Sequence, residues 1–429
     1  MYLKIIVFLA LVTSVPQLYV IPGGTDVPLA FIFSYLLFPA LVSNIKFFIK
    51  KKLFVVSIMI LITQVVSLLW SIEISGGFRD ISYMLSCWLL ISGVYSLHQK
   101  EPQALMKILK LFLLVVCFEA VTIILFRFLP DIKLSLILSP PMRIILGQNV
   151  LDSLVLEGTR NNFYDPEKSG GLMFINANIA ACYVGISSFL AYNLARMKRS
   201  LLLYVISFVL WFSIFFTGSK ASAIFAVIIP IFAHTLNSSS QKRMGIILLS
   251  SAMIMLLCLF LSVSNINLDN AFLSSTADTT DSRIQIWDYG INSFLSSPFL
   301  GQGYGGWMAG YAKISTILYP PHNTIMYMWS KSGILSAFAG VFFIYYGLRV
   351  AISSLRSHDD YLNRCGLMLL MVSGWLFAHG MGENFGLIGE PHQMILLAIC
   401  LGINYSATQL HIEESVHDND GYTNLRRLS

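Results

Sequence analysis

The feature that most limits what this chain can fold into is a run of long apolar stretches recurring from one end to the other. A helix needs about 20 largely apolar residues to cross the hydrocarbon core of a bilayer. About twelve segments approach that requirement: Ile5–Ile21, Val27–Ile45, Leu53–Trp70, Ile81–Leu97, Ile108–Leu129, Gly171–Leu194, Leu201–Phe216, Ala221–Leu236, Met244–Val263, Thr324–Leu348, Gly366–Met381 and Met394–Tyr405. Charged residues make up 12% of the chain, about half the ~25% usual in soluble domains. That excludes a water-soluble enzyme, a secreted disulfide scaffold and a disordered chain. It leaves an all-α integral membrane protein with lipid-solvated outer faces.

The net charge of +6 fits basic cytoplasmic loops and gives no reason to expect a nucleic-acid partner. Cys87, Cys117, Cys182, Cys258, Cys365 and Cys400 all sit inside apolar stretches without CxxC spacing, so they read as small hydrophobes. Lys4 and the following apolar run resemble a signal peptide, but no small-residue cleavage site follows, and a retained first span is expected. With both termini cytoplasmic, 18 of the 28 Lys and Arg fall on the inner side. The reverse orientation would place Lys50, Lys51 and Lys52 outside, against the positive-inside rule.

This topology makes residues 1–405 one polytopic membrane domain and residues 406–429 a polar cytoplasmic tail. Two long segments, about 130–169 and 264–321, then face outward, and long loops in compact proteins tend to be functional. Within the second, Ile284, Ile286, Trp287, Ile291, Phe294 and Leu295 fall at helical spacing opposite polar positions, as in an amphipathic helix at a membrane surface.

Ionisable groups near outer helix ends carry the chemical interest. FFTGSKASAIFAV places Lys220 at an outer hairpin. SRIQIWDYGINSFLSSPFLGQGYGGW contains Arg283, Trp287 and a Pro-Phe-Leu-Gly-Gln-Gly turn, and YPPHNTIMYMWSKSGILSAF opens a span with His322 and Asn323. On the expected topology all three converge on one membrane face.

The order Gly-Ser-Lys at a hairpin, S-R-x-x-x-W, P-x-x-G-x-G and His-Asn opening a helix resembles the bacterial O-antigen ligase and polysaccharide polymerase superfamily. The likeness runs from about Thr217 to Phe338, with a weaker echo in KSGGLMFINANIAA, Lys168 to Ala181. It implies a GT-C-like inner-membrane glycosyltransferase with two long periplasmic loops. Such an enzyme moves an undecaprenyl-pyrophosphate-linked glycan onto another glycan or onto lipid A core. The implied surroundings are membrane lipid, a chain-length regulator and a flippase. The family pattern has arginine where this chain has Lys220, which keeps the charge and loses the guanidinium fork.

The chemistry is consistent with those residues. A base must accept the proton of the attacking hydroxyl, which suits the imidazole of His322. Cations must hold the departing diphosphate, which suits Arg283 with its bidentate fork and Lys220 as a point charge. Fixed cations leave no need for a metal or other cofactor. Lys168 and Arg160 are further candidates for carrier phosphate or sugar, and His379 and Glu383, four apart, share one helix face and line the same cavity on this reading.

Plainer readings stand beside these. His322 also suits a helix-start histidine, Asn323 a helix cap, and Arg283, Lys220, Lys168 and Arg160 solvated or lipid-facing cations. Gly301, Gly303 and Gly306 spell G-x-G-x-x-G but lack the strand of a dinucleotide fold, so a tight turn is expected. Asp418, Asn419 and Asp420 form the only D-x-D, in the tail on the wrong side for catalysis. Glu119, mid-span, is expected to be structural. A flippase or other polysaccharide transporter is the alternative function, although its candidate residues would be expected in both halves of the chain.

Overall fold

The computed structural model describes residues 1–15, 19–20, 27–142, 154, 161–238, 271–315, 318–383 and 391–419. Helices dominate. The exception among the described residues is one short antiparallel pair, β1 (Tyr19–Val20) and β2 (Val27–Pro28). Among the described residues, eight helices are long and apolar enough to cross a membrane. They are α4 (Lys52–Ser67, extended by a 3-10 turn to Trp70), α5 (Ile74–Lys100), α6 (Pro102–Phe128), α9 (Ala177–Lys198), α11 (Lys220–Asn237), α14 (Thr324–Leu355), α15 (Asp360–Gly380) and α16 (Pro391–Asn419). Shorter helices are α1 (Tyr2–Ser14), α2 (Leu29–Tyr35), α3 (Phe38–Phe48), α7 (Pro130–Ile137), α8 (Asn161–Tyr164), α10 (Leu201–Ser213), α12 (Ala271–Ser296, longer but less apolar) and α13 (Gly306–Tyr311).

Several expected spans differ from this. The single span over Val27–Ile45 is two helices, α2 and α3, bent by 65°. Pro39, at the start of α3, has no N–H to continue the α2 ladder. Counted together, the bent pair makes a ninth candidate. The first expected span shortens to the 13 residues of α1, about 20 Å at 1.5 Å per residue. The span over Leu201–Phe216 is α10 plus a 3-10 turn, and the one over Met244–Val263 lies outside the described residues. The last helix does not stop at Tyr405. It continues to Asn419, and Ser406 is buried against His98, so the stretch read as a tail begins as packed helix.

Burial separates an inner set of helices from a peripheral one. In α9, 83% of the most apolar window is buried, against 17% in α11. Gly185 of α9 packs directly against the Trp375 indole of α15, so a side chain there would collide with the ring. Outward faces of α4 and α10 carry exposed Val55, Ile62, Leu201, Val205 and Phe208. Such apolar area is unfavourable in water and is satisfied by lipid.

Helix α14 breaks at Gly333, whose φ of +79° interrupts the ladder. The Pro298–Gly303 turn fills the break: Gln302 N donates to Ser330 O at 2.7 Å and Ile334 N to Phe299 O at 3.3 Å. Gly301, with φ +70°, lies so close to Trp329 O that a Cβ would stand 2.2 Å away. The glycines of this motif therefore serve a turn packed onto a helix.

The segment over 130–169 is tied down where it is described. Arg127 donates to Pro166 O at 3.0 Å, and Lys133 Nζ to Phe163 O at 2.7 Å. Buried Glu119 accepts from Met173 N at 2.9 Å, Leu172 N at 3.2 Å and Thr122 Oγ1 at 3.0 Å. That carboxylate clamps the chain entering α9.

Candidate functional site

Four segments remote in sequence meet at the N-terminal end of α14. Asn323 caps that helix, its Oδ1 accepting from Ile325 N and Met326 N, both at 3.0 Å. Its Nδ2 donates to Met381 O at 3.0 Å, which ties the cap to the end of α15. Capping and positioning are thus both carried by this one amide. His322, just before the cap, takes φ +49°. That left-handed conformation is uncommon for a residue with a Cβ and marks a position held by its surroundings.

Glu383 is the centre of the arrangement. Its Oε2 lies 2.7 Å from His322 Nδ1, and its Oε1 accepts from Arg283 Nη2 at 3.0 Å and from Asn178 Nδ2 at 3.2 Å. Glu383 lies past the end of α15, and its N–H still bonds His379 O at 3.0 Å, so one further turn aims it into the cluster. Burial alone would push the Glu383 carboxyl up. The hydrogen bond and charge of His322, then the charges of Arg283 and His379, outweigh it and hold the group below the ordinary carboxylate range.

Arg283 is presented by α12, which buries Ile286, Gly290 and Ser293 along one face and leaves Ile284, Trp287, Ile291 and Leu295 exposed. The exposed apolar edge suits contact with lipid, while the opposite edge brings the guanidinium to Glu383. Its Nη1 is buried and has no hydrogen-bond partner among the described residues. A buried donor without an acceptor costs about 1–3 kcal/mol, more when charged, and a phosphate oxygen would satisfy it.

Of the other sequence candidates, His379 lies beside this centre, its charge acting on Glu383. His379 is buried, with its Nδ1 3.3 Å from Trp375 Nε1 and its ring 5.5 Å from that of Phe225. Lys168 and Lys220 form a neighbouring pair. Ser169 N donates to Thr217 O at 3.2 Å, Gly218 packs against Glu167 and Lys168, and the Lys220 ammonium feels the charges of both. Arg160 lies outside the described residues. Among the described residues no group of three His, Cys, Asp or Glu side chains could hold a metal ion.

Sequence reasoning missed Asn178, whose signal was its place two residues after Asn176, the cap of α9. It also missed a buried pair, Asp80 of α5 with Lys331 of α14.

Residues 179–343 match the O-antigen ligase family. Over that stretch the chain is similar to O-antigen ligases. No curated protein matches the chain. That similarity, together with helices apolar enough to cross a membrane, supports a glycosyltransferase-like bacterial membrane enzyme of polysaccharide biosynthesis that uses a lipid-linked glycan donor and an acceptor. The matched stretch contains Asn178's neighbour Ile179, Lys220, Arg283, His322 and Asn323, whereas Glu383 lies beyond it. The matched stretch therefore meets a carboxylate supplied from just beyond the end of α15.

Proposed function

We propose that the protein transfers an undecaprenyl-pyrophosphate-linked oligosaccharide to a sugar hydroxyl at the periplasmic face of the bacterial inner membrane, with both termini cytoplasmic. The acceptor is a growing glycan, as in an O-antigen, capsule or exopolysaccharide polymerase, or lipid A core, as in a ligase. On this reading the chain is a GT-C-like bundle of about twelve spans, its donor entering sideways from lipid.

The observation that carries the reading is one carboxylate holding both an imidazole and a guanidinium, with a buried guanidinium N–H left over. His322 donates Nδ1–H to Glu383, which leaves Nε2 as the acceptor for a proton. The acceptor hydroxyl gives that proton to Nε2 as its oxygen bonds the anomeric carbon. The bond from that carbon to the diphosphate oxygen breaks, and undecaprenyl pyrophosphate leaves with the electron pair. Arg283 Nη1 holds the leaving phosphate, supported by Lys220 and Lys168. Glu383 stabilises the imidazolium so formed. A single displacement of this kind inverts the anomeric configuration and needs no metal.

Purified protein in bilayers, given lipid-linked repeat units and a chelator, tests this directly. Transfer with inverted configuration is expected. Movement of donor across the bilayer without any transfer would instead favour the flippase reading, and a strict metal requirement would overturn the mechanism.

A further inference from the structure

We propose that the end of the bundle opposite His322 carries a pocket for the phosphate headgroup of an anionic membrane lipid, formed by Lys50, Lys51, Lys52, Arg349 and Tyr405. The pocket is a cavity of about 270 Å³. Arg349 lies about 24 Å along α14 beyond its break at Gly333 at 1.5 Å per residue, on the side away from His322, so this is a separate site. The inference does not depend on the glycosyl-transfer reading.

Three separate parts of the chain build the cavity: the turn before α4, the last turns of α14, and α16. No lining residue is acidic. Among the described residues no ion pair engages Lys50, Lys51, Lys52 or Arg349. Lys51 Nζ lies 4.2 Å from the Phe47 ring centre and 5.6 Å from that of Tyr405, and Lys52 Nζ lies 5.6 Å from that of Tyr346. Rings thus orient two of the cations without neutralising them. Burial lowers the Lys51 ammonium from its ordinary range, as expected of a cation short of a counter-charge.

The second observation is Tyr405. The residue is 3% exposed, lines the cavity, and its buried hydroxyl has no hydrogen-bond partner among the described residues. Positive-inside topology alone accounts for lysines at a helix end. It does not require them to surround a buried, unpartnered phenol. A phosphate oxygen accepts from that phenol and from the ammonium groups together.

A lipid is favoured over a soluble anion by position. Leu53 and Val350 share the lining with the cations, and Lys52 and Arg349 stand at the ends of two membrane-crossing helices. Basic pockets between helices at the headgroup level suit anionic lipid.

Native mass spectrometry of the full chain, offered equal phosphatidylglycerol and phosphatidylcholine, tests the proposal. Phosphatidylglycerol should be retained about tenfold over phosphatidylcholine. The double variant Lys51→Gln, Arg349→Gln should bring the two to parity, and Arg349→Lys alone should keep most of the preference. Tyr405→Phe, which removes one oxygen and preserves packing, should lower phosphatidylglycerol retention about threefold. Equal retention of the two lipids by the natural sequence, or unchanged preference in the double variant, would overturn the site. Displacement of the lipid by inorganic phosphate alone would overturn its assignment to lipid.

Discussion

Asp80 and Glu383 each anchor a polar cluster in this apolar protein, and the contrast between them separates a pin from a candidate site. Asp80 lies inside the bundle and pairs with Lys331. The same ammonium reaches Tyr327 Oη at 2.5 Å and lies 4.8 Å from the Tyr304 ring centre. Each of these groups belongs to helix α5 or helix α14, except Tyr304, which directly follows the turn packed into the break at Gly333. Glu383 stands instead just beyond a helix end, and its partners Arg283 and His322 are 27% and 20% exposed. The first cluster uses its cation to hold two helices and a turn together. The second holds its cation and imidazole in place while leaving a guanidinium N–H and an imidazole nitrogen for other work. Similar residues thus differ in use because Asp80 and Lys331 are more deeply enclosed than Arg283 and His322.

The contrast can be broken by substitution. Lys331→Met, which leaves buried Asp80 with only Arg79, 3.7 Å away, as a cation, should destabilise the fold by about 3 kcal/mol, the low end for a broken buried pair, seen as a lowered thermal midpoint in detergent. Adding Asp80→Asn to it should recover part of that loss. If Lys331→Met left stability unchanged and abolished transfer, the Asp80 cluster would belong to the reaction. His322→Ala should lower the thermal midpoint by less than Lys331→Met does, through the lost bond to Glu383, and lower transfer by about 100- to 1000-fold. Equal transfer rates would remove the imidazole from the mechanism.

Glu383→Gln sharpens the comparison further. It keeps the shape, removes the charge, and should lower transfer by about 100-fold or more, since the carboxylate both orients the imidazole and stabilises its protonated form. Its pH behaviour has a definite sign. A carboxyl held below its ordinary value of 4.5 contributes stability that is fully present above that pH and is lost as the pH falls through its lower folded value. The thermal midpoint should therefore fall more steeply below about pH 4.5 in the natural protein than in Glu383→Gln. Parallel curves would mean that the carboxylate is not held by its partners. The smallest expected effect is that of Asn323→Ala, about 1 kcal/mol from the lost helix cap, measured by the same melting experiment.

Much of the helical layout was legible because apolar runs of membrane length leave few alternatives. What escaped the sequence was where helices break. Pro39 marks one break by its missing N–H. The break at Gly333 works because a turn some thirty residues upstream supplies the replacement hydrogen bonds, and no local pattern announces that. The site was legible in its members more than in its geometry. His322, Asn323 and Arg283 stood out by residue type beside apolar helix ends. The spacing of His379 and Glu383 placed both near the same end, but it could not show that Glu383 links Arg283 to His322, since these lie 100 and 61 residues away. Asp80 and Lys331 were missed for the same reason, their separation being 251 residues.

The central claim is that Arg283 holds the donor diphosphate while His322 accepts the proton. Donor binding and transfer, measured together on the purified protein in nanodiscs, test it most directly. His322→Ala should bind lipid-linked donor as the natural protein does and fail to transfer the glycan, whereas Arg283→Gln should bind it at least about tenfold more weakly. Donor binding and transfer both at natural levels in either variant would contradict the account.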